Sequence, residues 1–485
     1  MKALRLEDLC LTNITDNFTI FNSAYSKSDD ASLQRNLEFL QRVYSMDLIK
    51  RLSQARQLTN EDYLELLINK HLKELDFTKF RYCSWKKVLE RVMKIAEGLV
   101  KVNLDAKIFR KHRGKIKEII GLLKNAEYLN ASSECDDETL QIISKCCPEL
   151  KELDLRIAFQ VTDKGLRSLC ESSGTVESSG TLNLRVLRLD SAVIKEETVT
   201  FILQSMPSLE IFSHRYVPRA LCSLHNDGLH ENETFSLTEL DLRLYVSDLL
   251  EVLTTCTLLC PNIAKFYCLV TTQEHVDLCC KFPKLEDLTI RGLIQRPINL
   301  NNFLQIKGCN LISLDAENIS ISIPVLIENC QKLQKLRLNN VAFQHTKDDC
   351  MSILKHLKEF SSYPGASSSG ASSAEALILI LNTSPNIERL SVLHTEFSDL
   401  QLRNALLKYC ELNSLKRLEF IYSDVDVNFL VLILQLCSSL QKLKIDYCYC
   451  ISSEEIALLN EISSASRNAP EIIWNDFRKP RLRCD

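Results

Sequence analysis

Glycine and proline are both scarce, 11 of each in 485 residues, which excludes collagen-like and linker-dominated architectures. Neither sign of charge dominates. The 59 Lys and Arg against 63 Asp and Glu leave a formal net charge of −4, so no global field draws the chain to nucleic acid or to an anionic membrane. No apolar run reaches the roughly 18 residues that suggest a membrane span. The opening MKALRLEDLCLTNITDNF has no uninterrupted apolar core after Lys2 and lacks the pattern of an export signal. Twenty cysteines without such a signal are expected to be reduced thiols, which places the chain in the cytoplasm and leaves the nucleus open. Walker, GxGxxG, GxSxG and HExxH motifs are all missing, and the nine His are scattered. Cys256 with Cys260, and Cys448 with Cys450, lack a second pair or a His at zinc-finger spacing and read as core thiols. No enzymatic activity, cofactor or metal is expected.

What is present in excess is leucine, with 81 copies, about one residue in six. The string Leu-x-x-Leu-x-Leu, with apolar replacements, recurs along the chain. It appears at Leu72–Phe77, Leu99–Leu104, Leu150–Leu155, Leu184–Leu189 and Leu237–Leu242, and again at Leu285–Ile290, Leu333–Leu338, Ile387–Val392, Leu415–Phe420 and Leu440–Ile445. Weaker copies lie at Ala126–Leu129, Leu357–Phe360 and Ile472–Trp474. The spacing, mostly about 22 to 28 residues, is that of leucine-rich repeats. Alternation in the second half of each copy predicts a short strand with its leucines on one face. The segments between, such as Asp137–Cys146, carry helical periodicity. Neither element buries its apolar face alone; stacked copies bury one core. Cys or Pro commonly precedes the strand, as at Cys146-Cys147-Pro148, Cys260-Pro261, Cys330 and Cys437. A small thiol packs at the crowded helix-to-strand corner, and Pro stops the helix there.

These residues resemble the cysteine-containing leucine-rich-repeat family of ubiquitin-ligase receptors. The fold class they imply is α/β, a leucine-rich-repeat solenoid or horseshoe over residues 58–475 with a helical N-terminal cap over 1–57 and a basic tail over 476–485. Ser-rich stretches at 171–181 and 361–373 read as surface loops. The basic run Lys107–Lys117 reads as the solvated face of one repeat helix.

The first 57 residues lack the repeat. Leu6, Cys10 and Ile14 stand at i, i+4 and i+8 and share one face of a helix. This pattern is similar to the BC-box of cullin–elongin receptors, which include the zyg and zer proteins. That resemblance implies Leu6, Cys10 and Ile14 as adaptor-binding anchors and elongin B, elongin C and a cullin as partners. The family's cullin-contacting Pro has no counterpart in residues 1–147, which leaves the cullin open. An F-box-type adaptor and a helix that only caps the first repeat remain the other readings. Leu33, Leu37, Leu40, Val43, Leu48 and Leu52 predict one or two further amphipathic helices.

Positions flanking the second and third leucines of each copy face outward. They place Arg156, Arg188, Arg215, Arg243, Tyr267 and Arg291 on the presumed substrate-binding surface. Arg with an aromatic suits a protein ligand, and an acidic segment in particular. The pairs Asp154/Arg156, Arg188/Asp190 and Asp241/Arg243 are equally suited to neutralising each other on a solvated face. The function expected is substrate recognition within a cullin–RING ubiquitin ligase. The alternative is a repeat scaffold or inhibitor with no ligase link.

Overall fold

The computed structural model describes residues 6–18, 20, 31–56, 58, 62–80, 84–104, 111–131, 135–171, 183–190, 193–228, 234–243, 248–295, 297–343, 352–363, 370–395, 397, 399–412, 415–465 and 469–475. Two compact units divide the chain, Lys2–Leu237 and Thr238–Asp485. The strands form two main sheets, one in each unit. The tail 476–485, the Ser-rich residues 172–181 and the start of the basic run at 107–110 lie outside the described residues. No helix among the described residues is long and apolar enough to cross a membrane.

Among the described residues the first unit opens with helices α1 (Leu6–Asp16), α2 (Ala31–Gln54) and α3 (Asp62–Leu67). A parallel sheet of six short strands follows in chain order, from Glu74–Asp76 to Ile211–Ser213. Each predicted motif in this unit supplies one strand. The register aligns Leu75, Val102, Leu129, Leu153, Leu187 and Phe212. All six are buried, because every second side chain of a strand turns to the same side. Each buried leucine contributes on the order of 1.5–3 kcal/mol of apolar transfer.

The second unit repeats the arrangement in ten parallel strands, beginning with Glu239–Leu242 and ending with Glu471–Asn475. Its inner row runs through Leu240, Phe266, Leu288, Leu314, Leu336 and Phe360 and on across the sheet. The stretch 361–373 is only partly the loop its composition suggests. Residues 361–363 complete the strand Glu359–Tyr363, 370–373 open the helix Gly370–Thr383, and 364–369 are outside the described residues.

A second, three-stranded parallel sheet of Ile298–Asn299, Ile319–Ile321 and Ala342–Phe343 accompanies the main one. These strands lie between copies of the leucine motif, so the repeat pattern does not announce them. A left-handed residue turns the chain after several main strands: Asn318, Asn340, His394, Tyr422 and Tyr447 all have positive φ. Asn tolerates that region through its short polar side chain, whereas His and Tyr do so at a cost. The three rings stack in compensation. His394 lies 4.8 Å from Tyr422 at 3°, and Tyr422 lies 4.9 Å from Tyr447 at 17°.

The corners follow the expected chemistry. Cys147, Cys260, Cys330 and Cys437 each occupy the position after a helix. Cys147 Sγ donates to Ile120 O at 3.6 Å and Cys437 Sγ to Leu415 O at 3.5 Å, one repeat back in each case. At these two corners a thiol thus ties successive repeats.

Candidate protein-binding surfaces

Helix α1 has two unlike faces. Leu11, Thr15 and Phe18 are buried, and Phe18 meets Tyr63 edge to face at 4.7 Å. Asp8 pairs with Arg51 of α2 at 2.8 Å, and Arg51 Nη1 donates to Thr12 Oγ1 at 3.0 Å. Glu7 lifts the Tyr44 hydroxyl above its ordinary 10.0, and Arg51 ties α2 to two successive turns of α1. On the other side Cys10 is exposed and Ile14 half-buried, while Leu9 keeps half of its surface in solvent. Leu6 begins the helix, and its side chain lies outside the described residues.

Helix α2 is single and continuous. Of its expected apolar stripe, Leu37, Leu48 and Leu52 are buried, Leu40 is half-buried, and Leu33 is outside the described side chains. Val43 departs from the expectation: it is 49% exposed, and Phe39 is 57% exposed. Phe39 meets Tyr44 at 6.0 Å, and Tyr44 reaches α1 through Glu7. Phe39, Val43 and Tyr44 therefore extend the apolar surface that Cys10 begins. The sequence signal was an aromatic and a β-branched residue at i and i+4, which a buried face would show equally.

The six proposed substrate residues fall in different units: Arg156, Arg188 and Arg215 in the first, Arg243, Tyr267 and Arg291 in the second. Arg156 is committed to Asp154, with Nε at 3.1 Å and Nη2 at 2.8 Å. Asp154 is itself buried, not outward as its motif position suggests. Arg188 is half-buried and in register with Asp154. Asp190 accepts from Ser213 Oγ at 2.6 Å, so the expected Arg188/Asp190 pairing is replaced. Arg215 is exposed and lies over Tyr216 at 4.9 Å. Arg243 clamps Asp241, with Nη2 at 2.5 Å, and lies over the Tyr267 ring at 5.1 Å. Tyr267 is half-buried, and burial raises its hydroxyl above 10.0. Arg291 Nε meets Glu317 at 3.0 Å. Arg156, Arg243 and Arg291 are thus neutralised locally, and Arg243 with Tyr267 forms one cation–aromatic platform.

A trough of about 520 Å³ lies on the outward face of the second sheet, from Tyr267 to Glu419. It is built from the outward residue before the second leucine of each motif and the outward residue after it. Asp315 holds Arg337 Nη1 at 3.3 Å, and Glu359 holds Arg389 Nη1 at 2.7 Å and Lys335 Nζ at 3.8 Å. Ser313, Ser361 and Ser391 keep the trough open by their size. The column before the second leucine was not singled out in the sequence, although Lys335, Arg389 and Arg417 occupy it in copies that are plainly repeats.

Every described cysteine is a free thiol. Burial pushes Cys147, Cys260 and Cys330 up to about 12, so they stay protonated at neutral pH, in keeping with core packing. Cys256, Cys260 and Cys448 are buried as expected, but Cys450 is exposed. Among the described residues no group of three or more His, Cys, Asp or Glu is placed to hold a metal ion.

No family model matches the chain, and no curated protein matches it. Among solved structures it is similar to the crystal structure of a Rad7 and Elc1 complex in yeast, at 14% identity and a TM-score of 0.39 over 97% of this chain and 98% of that one. It is also similar to an internalin, InlF, of Listeria monocytogenes, at 14% identity and 0.31 over 74% and 83%. The plant peptide hormone receptor RGFR1 in complex with RGF2 follows, at 12% identity and 0.28 over 86% and 72%.

Proposed function

We propose that this chain is a substrate-recognition subunit of a cullin–RING E3 ubiquitin ligase. It docks on elongin C through the Leu6, Cys10 and Ile14 face of α1 and selects a protein substrate on the outward faces of its sheets. The observation that carries this reading is the division of α1: Leu11, Thr15 and Phe18 hold it to the fold, while Cys10 is left to solvent and Ile14 half so. A partner groove that takes a few apolar anchors at one-turn spacing is the usual mode for such a face. Elongin B and a cullin would join through elongin C, and ubiquitin transfer would belong to the associated RING and E2 proteins. The chain's own contribution is proximity and orientation, which needs no reactive side chain.

The buried half of α1 also favours a second reading, a repeat scaffold or inhibitor in which the helix only caps the first repeat. Co-expression with elongins B and C separates the two. A complex should co-purify and be lost in Leu6→Ser, Cys10→Ser, with the variant's melting temperature near that of the parent. A folded chain that never co-purifies would leave the scaffold.

A further inference from the structure

The trough on the second sheet carries charge that the fold does not consume. Arg389, Arg417 and Lys442 stand in register on three adjacent strands. The outer two are turned away from the centre: Arg389 to Glu359 at 2.7 Å, and Lys442 to Glu471 at 3.6 Å. Arg417 is exposed between them and makes no ion pair among the described residues. Like charges opposed on neighbouring strands destabilise a sheet. Arg389 and Lys442 have carboxylates of their own and Glu419 faces the trough two residues from Arg417, so the cost that a bound anion would remove is confined to Arg417.

The space beside Arg417 suits an extended chain. Five strands separate into four steps between Ser313 and Arg417, about 19 Å at ~4.8 Å per strand and the length of about six extended residues. Ser313, Ser361 and Ser391 line that path and offer hydroxyls to a peptide backbone. A polyanion such as nucleic acid would also meet Asp287, Asp315, Glu359 and Glu419 in the same trough. One isolated anionic side chain meets a single unmatched guanidinium instead.

We propose that this trough binds an extended peptide segment of a protein partner, with one acidic side chain clamped by Arg417. Calling that partner a ubiquitination substrate rests on the reading above; the docking itself does not. The anionic group is a carboxylate or a phosphate, either of which a guanidinium can grip in bidentate fashion.

The test is an array of octapeptides, randomised except for one position fixed as Glu, phosphoserine, Gln or Lys, probed with the full chain. The wild type should select Glu or phosphoserine over Gln and Lys by tenfold or more, and the stronger of the two names the anion. Arg417→Gln should lose that selection while melting at a higher temperature than wild type, because the repulsion is relieved. Arg417→Glu should turn the preference to Lys. Equal binding of Glu and Gln peptides by the wild type, undiminished acidic selection in Arg417→Gln, or a lowered melting temperature in that variant would each overturn the proposal. Elongin co-purification, scored on the same preparations, keeps the two readings apart: peptide selection without elongin sinks the ligase and spares the trough, and the reverse result does the opposite.

Discussion

At the scale of single residues, one buried hydroxyl answers two backbone groups. Tyr409 is buried, and its hydroxyl donates to Ser384 O at 2.8 Å while accepting from Ile387 N at 2.8 Å. That amide starts the turn into the strand Arg389–Leu393. Replacing Tyr409 with Phe leaves a buried N–H and a buried carbonyl unanswered, at a cost of about 1–3 kcal/mol. Urea denaturation should show a lower midpoint with an unchanged slope. The same burial lifts the hydroxyl well above its ordinary 10.0. Below pH 10 both folded and unfolded chains hold the proton; above it only the unfolded chain releases it, so this residue's contribution falls as pH rises. The Phe variant should lack that part of the alkaline loss.

At the scale of elements, α1 shows how one helix can be read from two sides. Leu11→Ala should cost about 2–4 kcal/mol, as buried Leu truncations do, whereas Cys10→Ser should change stability by no more than about 0.5 kcal/mol because that side chain is exposed. Thermal melting of the two variants checks the contrast, and equal losses would mean that Cys10 is packed. The strands were the legible part of this protein. Every copy of the motif, including the weak Ala126–Leu129, Leu357–Phe360 and Ile472–Trp474, lies on one. The two-residue period of a strand writes itself into the sequence whenever one face is buried. What could not be read depends on what a side chain meets in space. The Asp154/Arg156 pair was legible from its spacing, but Asp190 took Ser213 instead of Arg188, and Arg417 was left between two cations whose carboxylates come from other strands. Nor does an i, i+4 pair such as Phe39 and Val43 disclose whether its side of the helix is covered.

At the scale of the whole molecule, stability is distributed over repeats that mainly touch their neighbours. Many corners share one chemistry, so they share one vulnerability. The thiols of Cys147, Cys260 and Cys330 have an ordinary value of 9.0 and are pushed up to about 12 by burial. Below pH 9 they are protonated in both states and their contribution is intact. Between pH 9 and 12 the unfolded chain ionises first, and stability is lost corner by corner. The melting temperature should hold from pH 7 to about 8.5 and then fall steeply. A value unchanged to pH 10.5 would show that these corners are wetter than their burial implies.

The contrast between sealed and open thiols has a practical use. Cys10, Cys309 and Cys450 are the exposed cysteines among the described residues, and a thiolate forms and reacts far more readily in solvent than in an apolar corner. The protein therefore carries its own footprinting reagent. Brief alkylation followed by peptide mass analysis reports separately on the α1 face through Cys10 and on the second unit through Cys309 and Cys450. A partner that covers α1 alone would silence the Cys10 signal and spare the other two, with no substitution introduced.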